Sequence, residues 1–229
     1  MKIGRHNRRL RELPVNSLIP NILTVLALCA GMSAIRFAMQ EKWELAVAAI
    51  LVAGVLDGLD GRMARLLKGA TKFGAELDSL SDFIAFGVAP AMVIYLWSTQ
   101  ALGGIGWIAG LAYSTCMALR LARFNTALDD PDRPAWSSYF FTGIAAPAAA
   151  CVTLLPMAVS FQIGESFLQQ PIFMALWLLF VAFMAISRIP TYSFKRVRIR
   201  REYVLPMLLV VALVAAILAS YPWFVLSAM

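Results

Sequence analysis

The sequence predicts an all-α, polytopic membrane helical bundle with a six-span core and one extra span at the C-terminus. Three observations lead there. Of the 229 residues, 61% are hydrophobic and only 14% charged, with a mean hydropathy of +0.75; a soluble domain is nearer half apolar and a quarter charged. The apolar residues fall into runs of roughly 20, the length at which a helix crosses a hydrocarbon core. Most lysines and arginines gather at the ends of those runs, as anchors beside a negatively charged membrane face.

Residues 1–17 read as a basic cytoplasmic arm carrying Lys2, Arg5, Arg8, Arg9 and Arg11. The core follows over residues 18–190. Its first span runs from Leu18 to about Met39, too long for the apolar part of a signal peptide and without a cleavage site before Glu41–Glu44. The second runs from Trp43 to about Leu67, and the third from Gly74 to about Trp97. Gly103–Gly106 make a turn into the fourth, Trp107 to about Asn125. A polar, proline-containing loop over 126–138 precedes the fifth span, about Tyr139–Ser160, in which Pro147 and Pro156 are expected to introduce kinks. The sixth lies between Pro171 and Ile189. A basic cytoplasmic loop over 191–203 and a last apolar run within 204–229 complete the chain.

Most of the basic residues sit in the arm, the 62–72 turn, the 123–137 loop and the 188–201 loop, which the positive-inside rule places at the cytoplasm, and the intervening turns hold little besides Lys42. The net charge of +7 is distributed in this way rather than as a nucleic-acid-binding patch, so no nucleic-acid partner is expected. Cys29, Cys116 and Cys151 are scattered through apolar runs and read as packing residues. His6, the one histidine, lies in the arm, so neither residue type offers a nucleophile.

The chemistry concentrates between Asp57 and Asp82. Asp57, Asp60, Gly61 and Ala64 fall on one face of a helix, and Gly74, Asp78 and Asp82 on one face of the next. A hairpin turning near Lys68–Lys72 would bring the two acidic faces together. Four carboxylates so placed repel unless cations neutralise them, and hard divalent ions with oxygen ligands do this. Magnesium or manganese suits such a site; zinc prefers nitrogen or sulfur. Two ions roughly 4 Å apart would clamp a diphosphate and stabilise both the attacking and the leaving oxygen of a displacement. Gly61 and Gly74 permit close backbone approach, either to a ligand or to a neighbouring helix. Arg65 offers a planar fork to phosphate oxygens or an anchor at the membrane surface.

The pattern D-x2-D-G-x2-A-R-x8-G-x3-D-x3-D resembles the signature of the CDP-alcohol phosphotransferases. The resemblance extends over residues from about 15 to 190. Within that family, the run around the motif, with LARFN and FTGIAAPAAA further on, is most similar to the bacterial membrane-bound phosphatidylserine synthases. One departure is Ile144-Ala145-Ala146-Pro147, where a glycine–leucine–proline is expected. The resemblance implies that Asp57, Asp60 and Asp78 hold one metal ion and Asp57, Asp78 and Asp82 a second, with Asp82 also the base. It implies a CDP-diacylglycerol pocket of Asn21, Thr24, Gly61, Arg65, Thr71 and Gly74. It further implies a homodimer in the bacterial inner membrane, with the site facing the cytoplasm. The expected reaction transfers a phosphatidyl group to L-serine and releases CMP.

Arg120, Arg123 and Asn125, at the end of the fourth span, are the expected serine-binding residues, since two arginines three apart share a helical face. They would hold the acceptor carboxylate or a lipid phosphate. Glycerol 3-phosphate, inositol phosphate and choline are the alternative acceptors. A cation transporter with an intramembrane carboxylate site is the reading from another class. The acids gather near one end of their spans, beside Arg65, whereas transport sites lie near the bilayer midplane.

Overall fold

The computed structural model describes residues 15–67, 71–128, 140–163, 167–187 and 190–192. Most of the N-terminal arm, most of the 126–138 loop, the charge run at 195–201 and the last apolar run lie outside the described residues.

The described chain is all-α apart from one short strand pair. α1 (Val15–Met39) and α2 (Trp43–Leu66) form an antiparallel hairpin, packed along its length. Glu41, with φ of 59°, makes its tight turn. The next span is one continuous helical run of three parts: α3 (Lys72–Asp82), a π-helical segment (Phe83–Val88) and α4 (Ala89–Trp97). Gly103, at φ of 57°, turns the chain into α5 (Gly104–Leu128). α6 (Ala146–Ile163) and α7 (Pro171–Ile186) complete the described bundle. Leu18–Met39, Lys72–Trp97 and Gly104–Thr126 are each long and apolar enough to cross a membrane, while Ala146–Gln162 and Pro171–Ile186 are shorter apolar helices.

The fifth span starts later than the sequence suggested. Residues Phe140–Thr142 form a strand, β1, antiparallel to β2 (Pro190–Tyr192). Gly143, at φ of 79°, then redirects the chain. A Cβ there would lie 2.7 Å from the Ala185 carbonyl oxygen, so the turn sits directly on the end of α7. Pro147 therefore occupies the first turn of α6, where its missing N–H costs nothing, and starts the helix rather than kinking it. Only Pro156 lies inside α6.

Small residues let these helices approach closely, as membrane packing requires. Ala34, Ala46, Ala53, Ala85 and Ala149 are fully buried among Ile50, Phe86, Met117, Met157 and Leu178. Gly31 of α1 is in near-backbone contact with the π-segment: a Cβ on it would lie 2.7 Å from the Ala85 Cα. From α5, Tyr113 donates its hydroxyl to the Phe86 carbonyl at 3.0 Å and Ser114 to the Gly87 carbonyl at 3.2 Å. These bonds serve backbone acceptors where the regular α-helical ladder is interrupted. Large apolar side chains such as Ile22, Val55, Ile108 and Phe183 face outward, a surface that lipid covers without penalty.

Candidate active site

Asp57 and Asp60 lie near the end of α2, and Asp78 lies on α3 after the turn. The hairpin brings the three together: one carboxylate oxygen from each lies within 4.8 Å of the other two. Asp82 lies one turn beyond Asp78 on the same helix and is not one of this group of three. All the donors are hard oxygens, and they converge from two rigid helices. That set fits a hard divalent cation such as magnesium or manganese, with Asp57, Asp60 and Asp78 to hold it.

Beside the acids is a cleft of about 180 Å³, lined by Pro20, Asn21 and Thr24 from α1, Asp60, Gly61 and Ala64 from α2, and Thr71, Gly74, Ala75 and Asp78 at the start of the third span. Five of the six residues expected to bind the nucleotide-linked lipid line this one cleft. Gly61 leaves open space there, since a Cβ would meet nothing within 4 Å. Gly74 does the opposite: a Cβ would lie 2.8 Å from Asn21 Oδ1 and 3.2 Å from Thr71 Oγ1. Thr71 is the N-cap of α3, and its hydroxyl accepts from the Gly74 N–H at 3.0 Å. Asn21, Thr71 and Gly74 thus meet at one corner of the cleft. Arg65 stands apart: it donates from Nε to the Gly61 carbonyl of its own helix at 2.9 Å and is not among the lining residues.

The fourth-span group divides. Arg120 donates from Nε to the Ile144 carbonyl at 2.5 Å and is within electrostatic reach of Asp82. Arg123 bonds the end of α7, at 2.9 Å to the Ile186 carbonyl and 3.4 Å to that of Ser187. A cation at a helix C-terminus meets unpaired carbonyls and the negative end of the dipole. Asn125 donates from Nδ2 to Ser79 Oγ at 2.9 Å, joining α5 to α3 beside Asp78.

The sequence did not single out Ser79 or Ser81. Ser81 is 3% exposed and donates to the Thr24 carbonyl at 3.0 Å. Its hydroxyl in an apolar span was the available signal, but the acceptor is a main-chain carbonyl on a distant helix, which has no sequence code.

The model of the CDP-alcohol phosphatidyltransferase family matches residues 17–187. The chain belongs to that family. A second family model, CDP-alcohol phosphatidyltransferase 2, matches residues 202–229. The similar proteins include three called CDP-diacylglycerol–serine O-phosphatidyltransferase. The one from Mycobacterium leprae (strain TN) is 38% identical over 209 residues, covering 91% of this chain and 69% of the relative. That from Helicobacter pylori (strain 26695) is 39% identical over 145 residues, covering 62% and 59%. The one from Bacillus subtilis (strain 168) is 32% identical over 179 residues, covering 78% and 92%. This family member is a membrane-embedded transferase, and the matched region contains the acidic hairpin, the cleft and the end of α5.

Proposed function

We propose that the chain transfers the phosphatidyl group of CDP-diacylglycerol to the hydroxyl of L-serine, giving phosphatidylserine and CMP. The observation that carries this reading is the placement of Asp57, Asp60 and Asp78 against the Asn21–Gly74 cleft, in a chain similar to the named serine transferases. The cleft would take the cytidine diphosphate, and the acids would sit beside its diphosphate.

The steps follow from the residues. Asp57, Asp60, Asp78 and Asp82 would hold two magnesium or manganese ions. When bound, these ions would neutralise the diphosphate and the charge that develops on its oxygens. Arg120 orients the serine carboxylate through a bidentate, charge-assisted contact. The serine Oγ is then aimed at the lipid-side phosphorus. Asp82 accepts the hydroxyl proton as the new Oγ–P bond forms. The bond from that phosphorus to the bridging oxygen breaks, and CMP leaves with the electron pair. No covalent enzyme intermediate is needed. The remaining parts of the reading are a homodimer, an inner-membrane location and a site that opens to the cytoplasm.

The test is direct. Purified protein is incubated with CDP-diacylglycerol, a divalent metal and, separately, L-serine, glycerol 3-phosphate, inositol phosphate and choline, and the lipid product is identified by mass spectrometry. Phosphatidylserine with stoichiometric CMP is expected. A product formed only with another acceptor would reassign the alcohol. Metal-dependent cation uptake into vesicles without CMP release would favour a transporter.

A further inference from the structure

Thr24 is placed by the family resemblance among the nucleotide contacts, but its hydroxyl is engaged elsewhere. It is 4% exposed, and Oγ1 lies 2.7 Å from Asp60 Oδ2 and 3.0 Å from the Pro20 carbonyl oxygen. The single hydroxyl proton can serve only one of these acceptors at a time. A threonine within a helix ordinarily returns its proton to the carbonyl four residues back. Here a carboxylate is closer, and a hydrogen bond to an ionised acceptor is about twice as strong as a neutral one. The proton therefore goes to Asp60, itself 4% exposed.

The backbone of the same residue is fixed from a third helix. Ser81, between Asp78 and Asp82, donates to the Thr24 carbonyl at 3.0 Å. One residue of α1 thus joins Asp60 on α2 to the helix that carries Asp78 and Asp82. With Oδ2 tied to the hydroxyl, the Asp60 carboxylate has a fixed plane. It then presents a defined edge to Asp57 and Asp78.

We propose that Thr24 is a positioning residue for Asp60, setting the carboxylate for a bound divalent cation rather than reading the cytidine. This inference rests on the reading of the acidic hairpin as the metal-holding site. Outer partners of this kind typically change metal affinity 10- to 100-fold when removed.

The test is binding of Mn²⁺ to the purified full chain without substrate, followed by electron paramagnetic resonance of the free ion. Thr24→Val, which keeps shape and loses the hydroxyl, should weaken Mn²⁺ binding by roughly 10- to 100-fold, and Thr24→Ser should restore it. The Mn²⁺ concentration that gives half-maximal CMP release should rise by the same factor in Thr24→Val and return towards wild type in Thr24→Ser. Adding Thr24→Val to Asp60→Asn should weaken binding no further, because the hydroxyl acts only through that carboxylate. This comparison within the Asp60→Asn background holds even if Thr24→Val alone lowers stability. Wild-type Mn²⁺ affinity in Thr24→Val, alongside weakened binding in Asp60→Asn, would overturn the proposal and leave the metal reading intact. A raised KM for the lipid with unchanged Mn²⁺ affinity would overturn it too and return Thr24 to the nucleotide. If the wild-type chain bound no Mn²⁺, the metal reading would fall and the proposal with it.

Discussion

Arg123 donates from Nη1 to the Ile186 carbonyl at 2.9 Å, while Arg120, one turn earlier, couples electrostatically to Asp82. Both arginines also bond backbone, Arg120 at the Ile144 carbonyl and Arg123 at the end of α7, so the two hold different parts of the chain. Arg120→Ala is expected to raise the KM for serine by roughly 10- to 100-fold, the loss of a charge-assisted bond of about 1.5–3 kcal/mol, with little change in the KM for CDP-diacylglycerol. Arg120→Lys should recover only part of this, because the ammonium lacks the fork. Arg123→Ala should chiefly lower the melting temperature, and Arg123→Lys should recover most of it by donating to the same carbonyl. Steady-state kinetics varying each substrate in turn, beside thermal unfolding, check the division. If both alanine variants weakened the lipid and spared serine, the acceptor pocket would lie elsewhere.

Gly74→Ala should act on the donor lipid. The new methyl would sit 2.8 Å from Asn21 Oδ1, the free end of a side chain that can swing away. Folding should therefore suffer little, while the displaced amide distorts the cleft. The KM for CDP-diacylglycerol is expected to rise about tenfold, on the order of 1.4 kcal/mol, with serine unaffected. A wild-type lipid KM in this variant would remove the corner formed by Asn21, Thr71 and Gly74 from the binding site.

Replacing Asp57 or Asp78 with Asn should abolish metal-dependent CMP release at any Mn²⁺ concentration tested. Each is expected to bridge two ions, so neither loss can be compensated by its neighbours. CMP release is the readout. Near-wild-type turnover in Asp57→Asn, with the metal requirement unchanged, would refute the two-ion assignment.

Asp82→Asn tests the base. Removing a positioned proton acceptor costs about 10²–10⁴-fold in turnover, whereas the affinity for CDP-diacylglycerol should move far less. Single-turnover rates at saturating substrate separate the two. Retained turnover would mean that water or another group takes the proton.

The hairpin was legible because spacing translates directly into geometry. Residues three and four apart must share a helical face, and a short turn must fold one acidic face onto the other. That reasoning reached Asp57, Asp60 and Asp78 as a cluster, whereas Asn21 and Thr71 entered only through the family resemblance. It did not reach the partners of Arg120 and Arg123, because these are backbone carbonyls at Ile144, Ile186 and Ser187. The start of α6 was misplaced for a related reason. Phe140–Thr142 is as apolar as a span, and its pairing with Pro190–Tyr192 is a long-range contact that composition does not record. Pro147 was ambiguous by itself, since proline both begins helices and bends them.

The π-segment at Phe83–Val88 gives the third span a tolerance that a uniform helix would lack. A π-turn holds one residue more than an α-turn, so the stretch works as slack between the acid-bearing half and the half that packs at Ala89–Trp97. Loss of one residue inside it can be absorbed by reverting to an α-turn, leaving the two flanking halves in phase. The same deletion at Leu80 has no slack to draw on. It would swing Asp82 by about 100° relative to Asp78, carrying its carboxylate off the face the two share. Length variation in this span should therefore be confined to the six residues that follow Asp82.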